Sequence, residues 1–448
     1  MNPKPINIIA MKGSRYNILV KNKTKNTICY NTRLDSFCVL SNGDAELLKT
    51  DVSQLAEKSP KAFEALCRAG FIVEDDCDEL SFLAEEYDRA INDPSTFYLT
   101  LLPSLDCNLR CWYCFEKHVK GSHLTPAVSD AIFALVKEKL KDENLKQINV
   151  ELFGGEPLLY FETELYPLLK KIKDATIEAG KWASFFFVTN AVCITDENIP
   201  LFDELNASFQ ISIDGSKERH DKVKFIPETG EGTFDSMIKT IYALTERLDN
   251  VYINLRINYD DETLPLMPEL IKQLDGVDRD KIGVHLERVW QTDGAPFDNE
   301  ELKVIISQWM ANGFKVSYMN MGRRHFSCKA SAKNEVVISW DGAIYKCTGR
   351  DFTEEHRDGQ LIPDGTIKWK EEKLKQRLDI VTYDNPMCRD CKFLPLCWGP
   401  CCQKQMESPD GNFERYCQKR NMEMGIAEYV KYRFNNAYIN PANYRERI

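Results

Sequence analysis

No apolar run in this 448-residue chain approaches the length of a membrane-spanning helix. The opening stretch, MNPKPINIIAMKGSRYN, lacks the apolar core and small-residue cleavage site of a secretory signal. A positive excess is missing too. The net charge is −11, so bulk electrostatics favour neither nucleic acid nor an anionic membrane. There are no internal repeats and no low-complexity stretches. These absences leave a cytosolic globular protein, with 43% hydrophobic and 28% charged residues. The length suffices for two or three domains.

Cysteine is abundant. Sixteen cysteines in a reducing compartment are too many to be disulfides, and their clustering reads as metal ligation. Cys107, Cys111 and Cys114 form the array CNLRCWYC, directly after the apolar run FYLTLLPSLD. Three thiols so close can hold one metal centre while leaving one position of a four-site cluster free. A closed structural site takes four protein ligands. A zinc knuckle with its fourth ligand from elsewhere is the other reading of the spacing. Cys328, Cys347, Cys388, Cys391, Cys397, Cys401, Cys402 and Cys417 crowd the last third. Cys29, Cys38, Cys67, Cys77 and Cys193 are isolated in apolar contexts, and there a free cysteine acts as a small buried hydrophobe.

The pattern from residue 14 to 40 alternates and predicts strands around a polar KNKTKN turn. GDAELLKT, VSQLAEK and PKAFEALCRAG predict short helices, FIVEDD a returning strand, and DELSFLAEEYDRAINDPS a charged linking helix. Residues 1–95 thus predict a winged-helix-like module. From residue 96 strands and helices alternate: FYLTLLPS, INVELFGG, ASFFFVTN, ASFQISIDG, VYINLRIN and KIGVHLERV are strands with helical segments between. Six such units predict a parallel sheet, as a partial (β/α)6 barrel over 96–310. Unusual residues fall at successive strand ends: the cysteine array, Gly154-Gly155-Glu156-Pro157, Thr189-Asn190, Ser212 with Asp214-Gly215, and Arg256 with Asn258. In β/α barrels that face carries the active site.

CNLRCWYC followed by FGGEP, inside six β/α units, resembles the radical SAM superfamily. The resemblance implies a [4Fe–4S] cluster on Cys107, Cys111 and Cys114, whose fourth iron is chelated by S-adenosylmethionine. It implies reductive cleavage to a 5′-deoxyadenosyl radical that abstracts hydrogen. Tyr113 matches the aromatic position near the adenine. Gly154 and Gly155 would admit the cofactor's methionine moiety, Glu156 would accept from its amino group, and Pro157 would stiffen the turn. Asn190, Ser212, Asp214 and Arg256 match polar positions near the ribose and the methionine carboxylate.

The spacing Cys328-x13-Gly342-x4-Cys347, then Cys388-x2-Cys391-x5-Cys397-x3-Cys401 and Cys417, resembles the SPASM extension of that superfamily, here 311–448. A pair of zinc ribbons is the alternative from spacing. The resemblance implies one auxiliary cluster on Cys388, Cys391, Cys397 and Cys417, and another on Cys328, Cys347 and Cys401, making three [4Fe–4S] clusters. Cys402 is a spare thiol beside a site one ligand short. The segment VVISWDGAIYKC predicts a hairpin turning at Asp341-Gly342.

The N-terminal layout resembles the recognition elements of enzymes that modify ribosomally made peptides, which add a leader peptide as a strand. Lys12, Arg15, Lys21, Lys23, Lys25 and Arg33 occur between 12 and 33 with no acid, which suits an acidic leader; a solvated hairpin is the plainer reading. The expected activity is hydrogen abstraction from a precursor-peptide residue followed by a carbon–carbon or thioether cross-link. The expected partners are that peptide and an electron donor such as flavodoxin or ferredoxin, with no nucleic acid and no membrane. The rivals are an anaerobic sulfatase-maturing enzyme, opposed by Thr348 where a carboxylate base is expected, and a zinc scaffold or nucleic-acid-binding protein. Asp341, Glu287 and Arg288 are candidates for a substrate base by location alone. Because the barrel and the clustered cysteines lie outside residues 1–90, deleting that stretch is expected to spare the iron sites.

Overall fold

The computed structural model describes residues 11–22, 25–292, 299–319, 321–322 and 325–438. They form two compact bodies, neither continuous along the chain. One comprises the described residues of Met1–Ile91, Asn320–Cys328 and Val381–Tyr438. The other comprises those of Asn92–Met319 and Lys329–Ile380. No helix among the described residues is long and apolar enough to cross a membrane.

The first body begins with β1 (Met11–Gly13), β2 (Asn17–Lys21), β3 (Asn26–Asn31) and β4 (Ser36–Ser41). Next come α1 (Asn42–Thr50), α2 (Val52–Lys58), α3 (Pro60–Arg68), β5 (Ile72–Glu74) and α4 (Glu79–Ile91). β2, β3 and β4 make an antiparallel sheet in chain order, while β1 pairs with β5. The helix starts follow local chemistry: the Ser41 and Asp51 side chains accept from the N–H groups of Asp44 and Gln54, and Pro60 opens α3. The apolar faces of α1–α3 bury Leu48, Leu55, Phe63 and Leu66 against Cys29, Leu40, Phe71 and Ile72. A second core in this body joins the N-terminal segment to the cysteine-rich one: Tyr16, Leu83 and Tyr87 pack with Cys388, Leu394 and Trp398. Arg433 grips Asp35 through both carboxylate oxygens at 2.6 and 2.8 Å, and Arg15 reaches Asp390 at 2.8 Å.

The second body is built on one open sheet. β6 (Thr96–Leu102), β7 (Gln147–Leu152), β8 (Trp182–Thr189), β9 (Ala207–Ile213), β10 (Ile253–Tyr259), β11 (Ile282–Arg288) and β12 (Lys315–Tyr318) run parallel in that order. They are linked by α5 (Pro126–Leu140), α6 (Tyr166–Glu178), α7 (Ile199–Leu205), α8 (Lys217–Val223), α9 (Phe234–Arg247), α10 (Met267–Gln273) and α11 (Glu300–Ala311). The six strands expected of the partial barrel are β6 to β11. β12 adds a seventh. β13 (Glu335–Ser339) pairs parallel to the other side of β6, with Val336 opposite Leu99, then continues antiparallel through β14 (Ala343–Tyr345), β15 (Gly359–Leu361) and β16 (Ile367–Trp369). The hairpin at Asp341-Gly342 is β13–β14. Its pairing with β6 ties part of the span 311–448 into the barrel sheet, so the two bodies do not follow the successive divisions 1–95, 96–310 and 311–448.

Strands β9 and β10 alternate strictly in burial. Phe209, Ile211, Leu255 and Ile257 are buried, whereas Gln210, Ser212, Asn254 and Arg256 on the opposite face are only partly covered. Asn254 donates to Gln210 across the strands at 3.1 Å, and Ser184 to Asn149 at 2.9 Å. One face of the sheet is therefore a polar lining, which an apolar core would not tolerate and a ligand site requires.

Candidate active site

The chain after β6 is folded around Asp106. Its Oδ1 accepts from Cys107 N–H at 2.8 Å and its Oδ2 from Gly121 N–H at 2.8 Å, pinning both ends of the cysteine loop. The FGGEP turn after β7 packs directly on this loop: Gly155 N–H donates to Ser104 O and Glu156 N–H to Asp106 O, the latter at 2.8 Å. The glycines are set by that contact. Gly154 has φ +106°, and a Cβ at residue 155 would lie 2.1 Å from the Asp106 carbonyl oxygen. They were expected to admit a cofactor; in the structure the close neighbour is the loop that carries the thiols.

Cys107, Cys111 and Cys114 line one cavity of about 240 Å³, together with Tyr113, Gly154, Gly155 and Glu156. Asn190 from the end of β8, Ser212 from β9 and Arg256 from β10 line it as well. Pro157 and Asp214 are buried behind it. Glu156 is fully buried: its Oε1 accepts from Thr189 Oγ1 at 2.7 Å and Leu158 N–H at 3.1 Å, and its Oε2 from Asn190 N–H at 2.9 Å. Burial raises its carboxyl pKa, and these donors pull it back. Asn190 also donates to Asn108 at 2.8 Å.

Across the cavity Tyr113 donates its hydroxyl to Asp214, 2.8 and 2.9 Å from the two oxygens, and accepts from Asn258 at 3.0 Å. Beneath it lies Lys224, which the sequence reading passed over. Its Nζ donates to Ser212 Oγ at 3.2 Å and stands 3.6 Å from both Cys111 Sγ and Asp214 Oδ2. Burial alone would depress this ammonium, yet Tyr113, Asp214 and Cys111 hold it well above the ordinary lysine value. His220, also unforeseen, accepts at Nδ1 from Asp214 N–H at 3.3 Å; its Nε2 lies 3.0 Å from Thr233 Oγ1, which donates to Lys224 O at 2.9 Å. Burial drives its pKa well below the usual value, so the ring is neutral. It thereby joins the backbones of Asp214 and Lys224. No motif advertises either residue; only tertiary burial makes them special.

Burial pushes the Cys107 thiol up to about 12 and the Cys114 thiol up to about 11. Metal binding by these groups therefore releases protons. Among the described residues no three His, Cys, Asp or Glu side chains converge as a single metal ion requires. The thiolates of a four-iron cube sit on separate irons and stand further apart.

In the first body Cys388, Cys391, Cys397 and Cys417 line a small cavity of about 90 Å³. Cys328 and Cys401 belong to this body and Cys347 to the other. Cys402 is fully buried at the start of the helix Cys402–Met406. Of the base candidates, Asp341 caps its own hairpin turn at Ala343 N–H, 3.0 Å away. Glu287 is held by His285 at 2.9 Å. Arg288 lines the barrel cavity and pairs with Asp261 at 2.8 Å.

A parallel sheet thus brings three thiols and a glycine–glutamate turn together at its strand ends. Residues 101–266 match the sequence model of the Radical SAM superfamily, so that stretch of the chain is a radical SAM domain. Among curated proteins, a cysteine-type anaerobic sulfatase-maturating enzyme of Clostridium novyi (strain NT) is 24% identical over 354 residues, 70% of this chain and 90% of that one. The radical SAM cyclopropyl synthase TigE of Paramaledivibacter caminithermalis is 28% identical over 232 residues, 42% of this chain and 48% of its own length. The structure of Streptococcus suis SuiB bound to precursor peptide SuiA covers 91% of this chain and 100% of its own, with a TM-score of 0.51 and 15% identity; that likeness is one of fold.

Proposed function

We propose that this chain modifies a ribosomally made precursor peptide, abstracting hydrogen from one residue and closing a carbon–carbon or thioether cross-link. Cys107, Cys111 and Cys114 would hold a [4Fe–4S] cluster in the barrel cavity, beside S-adenosylmethionine. The donor set supports this: three thiols, and no fourth, line a cavity that also presents polar groups from several strand ends. When bound, that pair supplies a one-electron oxidant strong enough to take hydrogen from carbon. The chain's own part is positioning. Tyr113, fixed by Asp214 and Asn258, would flank the adenine, and Asn190, Ser212 and Arg256 would meet the ribose and carboxylate. Cys388, Cys391, Cys397 and Cys417 would hold an auxiliary cluster, and Cys328, Cys347 and Cys401 account for a third in the sequence pattern. A reductant such as flavodoxin or ferredoxin would supply electrons.

The observation that carries the peptide reading is an open sheet edge. β4 pairs only with β3 among the described strands, and Val39 on it is exposed. The other edge, β2, is approached by the helix Ile426–Ala437 and by Lys392, whose Nζ donates to Asn17 O at 2.7 Å. An extended leader can add to β4 by main-chain pairing. Lys12 and Arg15 are engaged within the body, with the carbonyl of Cys77 and with Asp390, so the basic surface is narrower than the sequence suggested. Lys21 and Lys25 are exposed, and Lys23 lies outside the described residues.

A sulfatase-maturing activity is the second reading, favoured by the length shared with the C. novyi protein and opposed by Thr348 and by the N-terminal sheet. Mass spectrometry decides: co-expression with a candidate precursor should give a product lighter by two hydrogens, whereas a sulfatase-derived Cys or Ser peptide should stay unmodified. The anaerobically purified protein should carry about twelve irons per chain, as three cysteine-bound [4Fe–4S] clusters require. Replacing Cys107, Cys111 and Cys114 by Ala should remove about a third of them and abolish S-adenosylmethionine cleavage. Stoichiometric zinc without sulfide would end the iron–sulfur reading.

A further inference from the structure

Cys29 and Cys38, isolated in the sequence, meet in the fold. They are direct partners across the antiparallel pair β3–β4, flanked by Ile28 opposite Val39 and Tyr30 opposite Phe37. Opposed residues of such a pair present their side chains on one face. Here that face is turned to α1–α3. Cys29 is fully buried in their core, and Cys38 is half-buried and packed against it. The two thiols are hydrogen-bonded, Cys29 donating to Cys38. Opposed Cα atoms in an antiparallel pair lie about 4.5 or about 5.5 Å apart. Both spacings fall inside the span of about 4.4–6.8 Å that a disulfide bridges.

We propose that Cys29 and Cys38 are a redox modification site, closing reversibly to a disulfide that staples the edge strand β4 to β3. The oxidant is a low-molecular-weight disulfide. Cys38 is the accessible member of the pair, and its thiolate attacks one sulfur of the oxidant and expels a first thiolate. Cys29 then attacks the Cys38 sulfur of the mixed disulfide and expels a second. The protons of both cysteines go to the expelled thiolates. Two protein thiols thus lose two electrons, and the oxidant gains them in becoming two thiols. Accepting from Cys29 also holds the Cys38 thiol below its ordinary pKa, which favours the attacking form. Among the described strands β4 pairs with β3 alone, so the bond would make the attachment of this edge covalent. The proposal needs neither the iron sites nor a bound peptide.

The test equilibrates the iron–sulfide-loaded protein, without oxygen, in buffers of oxidised and reduced glutathione at graded ratios. Samples are quenched in acid, unfolded, alkylated and cleaved with trypsin, which cuts after Arg33, between the two cysteines. As the buffer becomes more oxidising, unreduced digests should show residues 26–33 joined to residues 34–49. Dithiothreitol should part them, and iron content should not change. Cys29→Ser should leave Cys38 carrying one glutathione, because the resolving thiol is gone, whereas Cys38→Ser should leave Cys29 unmodified. A wild type in which both cysteines are still alkylated after the fully oxidised buffer overturns the proposal. So does one that stops at the glutathione adduct of Cys38, or that joins either cysteine to Cys67. A bond that forms only in step with iron loss overturns it too, since it then follows unfolding instead of the native strand pairing.

Discussion

Lys224 shows how a residue without a motif can hold a site together. It is one lysine among many in the sequence, within KERHDKVKF, and nothing in its spacing sets it apart. Burial does. Its side chain and that of Asp214 are 5% and 3% exposed, and the pair stands under Tyr113. Lys224→Met keeps the aliphatic stem and removes the charge, leaving the Asp214 carboxylate buried without its cation. Breaking such a pair from one side costs roughly 3–5 kcal/mol, and chemical denaturation should show it. Lys224→Met with Asp214→Asn should recover part of that loss, because the uncompensated charge goes with it. A double variant no more stable than the single one would mean that the pair is not energetically coupled. Glu156 is the opposite case. The FGGEP string makes it conspicuous in the sequence, but the string does not reveal that Thr189, Asn190 and Leu158 already hold its oxygens. Glu156→Gln should therefore weaken cofactor binding and also lower the melting temperature, since an amide nitrogen would face one of those donors.

Elements were legible where the pattern is local. The six strands β6 to β11, the helices α1 to α4 and the Asp341-Gly342 hairpin all follow from periodicity, capping residues and turn chemistry. β12 was missed because KVSY is four residues long and alternates with exposed positions. The partner of β13 was missed for a different reason. VVISW reads equally well as a hairpin strand or a barrel strand, and its pairing with β6 joins residues more than two hundred apart. The Gly154–Gly155 turn falls between these cases: its importance was plain, its neighbour was not. The contact with Asp106 O makes a direct prediction. Gly155→Ala must push the cysteine loop away, since 2.1 Å is well inside van der Waals contact. Iron at the barrel site should fall, cofactor cleavage should fall with it, and the cavity of Cys388, Cys391, Cys397 and Cys417 should keep its iron. Cluster-specific spectroscopy on the variant checks this; full occupancy of the barrel cluster would show that the loop yields without consequence.

For the whole molecule, the first body makes the N-terminal truncation a different experiment from the one the sequence suggests. Residues 1–90 are separated in sequence from every clustered cysteine, so their removal was expected to spare the iron. Yet Tyr16, Leu83 and Tyr87 share a core with Cys388, Leu394 and Trp398, and the ion pairs Arg15–Asp390 and Asp35–Arg433 bind the same two segments. Each large apolar side chain stripped from that core removes about 1.5–3 kcal/mol of burial. Deleting residues 1–90 should therefore release the iron of the Cys388 cavity, about a third of a three-cluster total, while the barrel site survives in its own body. A truncated protein that fails to modify its peptide would consequently say nothing about leader recognition. Surface charge separates the two roles. Lys21→Glu with Lys25→Glu leaves that core untouched, so iron content should match wild type. If these lysines meet an acidic leader, its binding should weaken in the variant and lose most of its dependence on salt. Unchanged affinity and unchanged salt dependence would place the leader away from these lysines, whereas a wild type that binds no leader at all would bring the sulfatase-maturing reading forward, since that reaction needs none.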